Sequence, residues 1–215
     1  LLFPPRCIGC GKEGDFFCVS CQAILPSIST PLCRKCGKPL SSGSYCPDCV
    51  RWRLEIDGIR SPFRFEGVVR QAIYSFKYRN IKSLALPLAN LLEKYLCANP
   101  MPMEVLVPVP LHSHRLRERG YNQSSLIARE LGKLIGLPVI ENSLIRSKNT
   151  PAQAKAKNAE ERRTNVTKAF TYQDRQLRSK QVLLIDDVCT TGATLNSCAI
   201  ALKTAGAASV WGLTI

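Results

Sequence analysis

The sequence predicts an α/β protein, a parallel sheet flanked by helices, with a small cysteine-rich module ahead of it. Three observations carry that prediction. Val182-Leu-Leu-Ile185 is a run of four apolar residues that passes into Asp186-Asp187 and then a Thr/Gly-rich turn ending at Thr194, the pattern of a buried strand followed by a loop and a helix start. Short apolar runs recur between segments of helical periodicity, and strands separated by helices build a parallel sheet. Eight of the eleven cysteines lie within the first 49 residues.

The bulk numbers set bounds. A chain of 215 residues has room for one substantial domain and a small one. Apolar content of 45% supports a real core. The longest apolar patterns, around residues 84–96 and 200–215, are broken by Lys, Asn or Gly, so no transmembrane segment is expected. No basic-then-apolar segment precedes Cys7, so nothing points to export, and the opening at Leu1 points to a trimmed start. The net charge of +14, from 30 basic against 16 acidic residues, favours a polyanionic partner, either phosphate-rich small molecules or a nucleic acid. The plainer alternative is a basic protein whose charge faces water.

Residues 1–50 carry four Cys-x-x-Cys pairs: Cys7/Cys10, Cys18/Cys21, Cys33/Cys36 and Cys46/Cys49. Each pair is a tight turn that aims two sulfurs at one point, and two such turns complete a tetrahedral thiolate site. Gly11 and Gly37, directly after the second cysteine of their pairs, supply the permissive backbone a metal knuckle requires. Sequence order assigns one structural zinc to Cys7, Cys10, Cys18 and Cys21 and another to Cys33, Cys36, Cys46 and Cys49. Interleaved pairing and a disulfide framework are the alternatives. Four ligands per set leave no open position for a catalytic water. With few large apolar side chains, the module depends on its metal for stability.

Residues 51–66 read as a linker or interface segment. Its interleaved Arg51, Trp52, Arg53, Arg60, Phe63, Arg64 and Phe65 suit either stacking on bases or plugging a domain interface. The body, residues 67–215, opens with helices over 67–79 and 83–96. A strand over 104–109 ends in Pro108-Val-Pro-Leu111. A helix over 121–135 turns Leu126, Ile127, Leu131 and Leu134 inward, and an apolar piece follows near Val139. Residues 146–165 are polar and charged and read as a mobile loop with some helical character. Strands over 169–172, 182–185 and 210–215 and a helix over 194–205 complete the body. His112 and His114, the only histidines, fall on an expected loop, in surface or phosphate-adjacent roles.

Strand, paired acids, hydroxyl-rich loop and helix N-terminus, in that order, suit a sugar-phosphate site at the carboxyl end of a parallel sheet. Two rival readings are a solvent-exposed turn capped by Thr190 or Thr194, and a nucleotidase-like Mg²⁺-phosphate role for the aspartates. The second usually needs further metal carboxylates, and the sequence shows no such cluster. Cys189 is expected to pack inward, with no nucleophilic role.

The whole pattern resembles the ComF family, a competence-associated branch of the type I phosphoribosyltransferases. The likeness rests on the opening Leu-Leu-Phe-Pro-Pro-Arg-Cys7 with its cysteine pairs, Phe76-Lys-Tyr78, Pro108-Val-Pro-Leu111, Arg117-Glu-Arg-Gly-Tyr-Asn-Gln123, residues 153–165 and residues 182–194. Two departures are visible. Cys189 stands where the family more often has an aliphatic residue, and the usual glycine before the core strand is absent near residues 179–181. The resemblance implies a Rossmann-like type I phosphoribosyltransferase fold behind a double zinc ribbon. It implies that Asp186 and Asp187 take the ribose hydroxyls of phosphoribosyl pyrophosphate, and that Thr190, Thr191, Gly192, Ala193 and Thr194 wrap its 5'-phosphate. For the diphosphate it implies the amides of Val109 and Leu111, with Arg117 and Arg119 as clamps, Arg115 nearby, and Lys77 as a further anion contact. Arg146, Lys148, Arg162 and Arg163 would close over the diphosphate as a catalytic loop, with Gln153 or Asn165 touching the ligand or bracing the loop. Mg²⁺ would accompany the diphosphate. The implied activity is transfer of phosphoribose to an unidentified acceptor in DNA uptake. The alternatives are a non-enzymatic single-stranded-DNA-handling factor using the same pocket, and a phosphoribosyl-pyrophosphate sensor. No base-reading hood is recognisable, and the zinc module occupies its place. Single-stranded DNA and a competence-associated helicase are the implied partners. The implied location is the cytoplasm, at the inner face of the membrane through those partners.

Overall fold

The computed structural model describes residues 4–146, 169–174 and 176–215. Its centre is a four-stranded sheet in the order β1-β6-β5-β2, from β1 (Gly58–Arg60), β2 (Val105–Pro108), β5 (Gln181–Ile185) and β6 (Ser209–Leu213). All three neighbouring pairs are parallel, with Val107 opposite Leu184 and Leu184 opposite Gly212. Val139 adds a single parallel bridge to Leu106 outside β2. β3 (Leu144–Arg146) and β4 (Phe170–Tyr172) form a separate antiparallel ribbon.

Both faces of the sheet are covered, which is why its strands read as continuous apolar runs rather than alternating ones. Leu106, Leu183, Ile185 and Leu213 pack against α3 (Gly67–Tyr78), α4 (Ala85–Ala98) and α6 (Gln123–Ile135) through Phe76, Leu88, Leu92, Ile127 and Leu131. Val105, Val107, Val182, Leu184 and Val210 pack on the other face against Leu195, Cys198 and Leu202 of α7 (Ala193–Thr204). The remaining short helices are α1 (Val19–Ala23) and α2 (Pro47–Arg51) in the cysteine-rich module, and α5 (Ser113–Arg119).

The expected strands and helices of the body are all present, with ends shifted by a few residues. Three details differ. The segment 51–66 is more than a connection, because Gly58–Arg60 is an edge strand of the central sheet. Its Phe63 packs on the core and bridges to Ser27 of the cysteine-rich module, which is the interface role. The histidines lie on α5 rather than on a loop: His112 caps the helix by accepting the His114 N–H at 3.2 Å, and Gly120 at φ 75° ends it. That helix carries no apolar period. Leu134 is 42% exposed, because α6 lays Gly132, two positions earlier and so on the opposite face, against Val139 and Leu137. The mobile-loop expectation for 146–165 falls outside the described residues beyond Arg146.

Candidate ribose-phosphate and metal sites

β5 delivers Asp186 and Asp187 to the carboxyl edge of the sheet. The ladder persists one residue past β5, since the Asp186 N–H donates to the Leu213 carbonyl at 3.1 Å. The two carboxylates take different partners. Asp186 Oδ1 accepts the Ser124 hydroxyl at 3.0 Å and the Asp187 N–H at 2.9 Å. Asp187 Oδ1 pairs with the Lys77 ammonium at 2.7 Å. Burial, with the neighbouring charge of Asp187 adding to it, pushes Asp186 up to about 7, against the opposing pull of Lys77 and those two hydrogen bonds.

Beyond the acids, Gly192 sits at φ 74° and opens α7. The Ala193 N–H lies 3.4 Å from the Thr191 hydroxyl. Asp186, Thr190, Gly192, Ala193 and Thr194 line one shallow recess of about 10 Å³. Cys189 packs against the buried cluster under α7, and burial drives its thiol up to about 12, as suits an inert side chain.

Two larger cavities flank α5. One, of about 610 Å³, is lined by Lys77, Tyr78, Arg115, Glu118, Arg119 and Tyr121. Arg115 and Arg119 share a face of α5 by their four-residue spacing. Arg117 sits between them on the opposite side, exposed, and is not brought to the cavity. Arg119 donates to Gln123 at 3.0 Å and lies over the Tyr78 ring at 5.3 Å. The other cavity, of about 560 Å³, runs past Leu111, Tyr121, Asn122 and Arg146. Burial lowers the pKa of Arg146, and Arg115 lowers it further. Val109 is not the amide donor expected, because its N–H is committed to the Ile185 carbonyl at 2.9 Å. Among the described residues the Leu111 amide has no such partner. Lys148, Gln153, Arg162, Arg163 and Asn165 lie outside the described residues.

Sequence reasoning missed Ser124. It stands in the first turn of α6 behind Asn122, whose side chain accepts the Ser124 N–H at 3.1 Å and donates to the Val109 carbonyl at 3.0 Å. An Asn cap is visible in a sequence, but its docking onto the end of β2 is not.

The cysteines gather as two sets in sequence order, Cys7/Cys10/Cys18/Cys21 and Cys33/Cys36/Cys46/Cys49, with the sulfurs of each set within 4.8 Å of one another. A tetrahedral zinc site with bonds near 2.3 Å puts its sulfurs about 3.8 Å apart, and the Cys10–Cys18 and Cys36–Cys46 pairs stand at 3.6 Å. All eleven cysteines are free thiols, so neither interleaved pairing nor a disulfide framework describes them. Gly11 and Gly37 take φ 75° and 72°, the conformation expected of them. Burial alone would raise Cys7 and Cys33, yet backbone N–H groups outweigh it and bring each down to about 6. Hydrogen bonding to Cys18 and Cys7 pushes Cys21 up to about 12. Burial pushes Cys36 up to about 11. A dication held by four sulfurs favours the thiolate form of its ligands.

Fold and sites together define an α/β protein with a hydroxyl- and amide-rich loop at the carboxyl edge of its parallel sheet, joined to a double zinc-binding module. Residues 1–50 match the family model described as a double zinc ribbon domain. The chain is 31% identical to Competence protein F of Haemophilus influenzae over 97% of this chain and 96% of that protein. It is also 31% identical to Competence protein ComFC of Bacillus subtilis, over 95% and 85%. It belongs to the competence protein F (ComF) family. Among solved structures it is similar to the glutamine phosphoribosylpyrophosphate amidotransferase of B. subtilis, with 20% identity and a TM-score of 0.42 over 60% of this chain and 26% of that one. It is also similar to adenine phosphoribosyltransferase from Leishmania donovani, with 19% identity and a TM-score of 0.40 over 66% and 56%.

Proposed function

We propose that the protein binds phosphoribosyl pyrophosphate at the carboxyl edge of the sheet and transfers its phosphoribose to a nitrogenous acceptor in the course of DNA uptake. The observation that carries the reading is the shared recess of Asp186 with Thr190, Gly192, Ala193 and Thr194, together with the ion pair of Asp187 with Lys77. Carboxylates accept sugar hydroxyls through charged hydrogen bonds worth about 1.5–3 kcal/mol each. The loop amides and the N-terminus of α7 suit the 5'-phosphate. At about 10 Å³ the recess is at the lower limit for a single water, so admitting a phosphate would require the loop to open.

Lys77 plays two parts in this reading. Without ligand it neutralises Asp187. When a ribose hydroxyl takes Asp187, the ammonium is released toward the cavity it shares with Arg115 and Arg119, where the diphosphate would lie. Leu111 and Arg146 line the second cavity, from which the Leu111 amide and the Arg146 guanidinium would reach the same diphosphate. As the C1–oxygen bond breaks, positive charge develops on the ribose and negative charge on the diphosphate, and these cations stabilise the departing group. Mg²⁺ brought with the ligand would add to the neutralisation of the diphosphate. Among the described residues only the cysteine sets gather metal ligands, so that ion would be held by ligand oxygens and water, as is usual for Mg²⁺.

One observation favours the single-stranded-DNA reading. Tyr74 and Tyr78 stand 53% and 64% exposed on α3 with ring centroids 5.0 Å apart. Arg79 and Arg119 lie over them, a stacking platform among cations. Relatives named competence proteins and, at 29% identity, the DNA utilization protein YhgH of Salmonella typhi fit that setting. No helix among the described residues is long and apolar enough to cross a membrane, and a cytoplasmic position beside a helicase at the inner membrane face belongs to this proposal. The test is diphosphate release from phosphoribosyl pyrophosphate across nitrogenous acceptors and single-stranded DNA. Acceptor-dependent release supports the transferase. Ligand binding with no release under any acceptor rejects it in favour of a binding role.

A further inference from the structure

Ile59 connects the second cysteine set to the loop at the end of β5. It is 1% exposed and lies in the middle of β1. On one side its backbone is gripped by the second knuckle. Its N–H donates to the Lys35 carbonyl at 2.7 Å. Its own carbonyl oxygen lies 2.5 Å from where a Cβ on Gly37 would stand, so only a glycine fits there. The next residue, Arg60, ties the same two pieces together by donating to the Arg34 carbonyl at 3.1 Å and the Ile59 carbonyl at 2.8 Å. On its other side, the Ile59 Cδ1 methyl lies 2.9 Å from where a Cβ on Gly192 would stand. Gly192 is the left-handed residue that turns the loop into α7. Among the described residues no contact of this kind joins the first cysteine set to the loop; its Gly9 packs against Val68 at the start of α3.

We propose that the zinc held by Cys33, Cys36, Cys46 and Cys49 positions the phosphate loop. The metal fixes the 34–37 backbone, which fixes Ile59, which sets the path of the chain at Gly192. The two zinc ions are then unequal: the second shapes the site, and the first anchors the module on α3. This inference rests on the reading of residues 190–194 as the phosphate loop only for its functional consequence. The contacts themselves are independent of that reading, and a close-packed interior transmits strain.

The experiment is hydrogen exchange at the loop amides in the zinc-loaded full chain, comparing wild type with Cys46→Ser/Cys49→Ser, Cys18→Ser/Cys21→Ser and Ile59→Ala. The second-site variant and Ile59→Ala should exchange about tenfold faster at residues 191–193, with little change in the first-site variant. Ile59→Ala keeps all eight cysteines and carries the test where a cysteine variant does not fold. Unchanged exchange in Ile59→Ala, or an equal rise in both zinc-site variants, overturns the proposal. Ribose 5-phosphate affinity, measured on the same proteins, separates the two readings. Faster exchange together with no binding by wild type leaves the link intact and removes the phosphate role of the loop. Binding by wild type that is undiminished in Ile59→Ala removes the positioning role.

Discussion

Replacing Asp186 with Asn should stabilise the protein at neutral and alkaline pH while weakening its ligand site. Asp186 is raised from the ordinary 3.8 to about 7, first by burial and then by Asp187. Between those values the folded protein keeps a proton that the unfolded chain has released, so stability falls as pH rises through that window. At about 1.36 kcal/mol per pKa unit the full rise is worth about 4 kcal/mol. The residue as a whole is only half-buried, and discounting for solvent screening brings the expected gain for Asp186→Asn down to about 2 kcal/mol at pH 8. Asn keeps an acceptor for the Ser124 hydroxyl and the Asp187 N–H, so those bonds survive the change. The assay is urea unfolding of the zinc-loaded protein and its variant. The advantage of the variant should shrink by about 1 kcal/mol between pH 8 and about pH 5.5, where the wild-type carboxyl is protonated. Zinc loss at lower pH is common to both proteins and cancels in the difference. A variant less stable than wild type at pH 8, or an advantage independent of pH, refutes the reasoning.

Three further outcomes follow from the geometry. Arg115→Ala and Arg119→Ala should each weaken phosphoribosyl pyrophosphate about tenfold and ribose 5-phosphate little in titrations, while Arg117→Ala changes neither, since Arg117 faces away from the cavity. Gly192→Ala forces a side chain into a backbone at φ 74° and a methyl within 2.9 Å of Ile59 Cδ1, and should cost about 1–3 kcal/mol in denaturant unfolding. Elemental analysis should find about two zinc ions per chain, as two four-cysteine sites require, and chelation should lower the thermal midpoint by unfolding the module of residues 1–50.

Much of this was legible in the sequence because strong local patterns agreed with the tertiary outcome. Val182–Ile185 is buried on both faces, so its apolar run names a central strand directly, and Cys-x-x-Cys turns name their own geometry. The conformations of Gly11 and Gly37 followed from the same turns. β1 was hidden because Gly58–Arg60 is three residues long and becomes a strand only through its pairing with β6. α5 was hidden because it has no buried face. Val109 illustrates a different limit, since a proline-flanked amide looks available until its strand partner is known. Ser124 and Arg115 acquire meaning only when α5 and α6 are docked at the ends of β2 and β5, a long-range relation that no local spacing encodes.

The most direct test of the central claim is calorimetry of phosphoribosyl pyrophosphate with Mg²⁺ against the zinc-loaded protein and its Asp186→Asn/Asp187→Asn double variant. Micromolar-range binding by wild type that disappears in a folded double variant is the predicted result. Equal affinity in the two proteins contradicts the placement of the ribose at the end of β5.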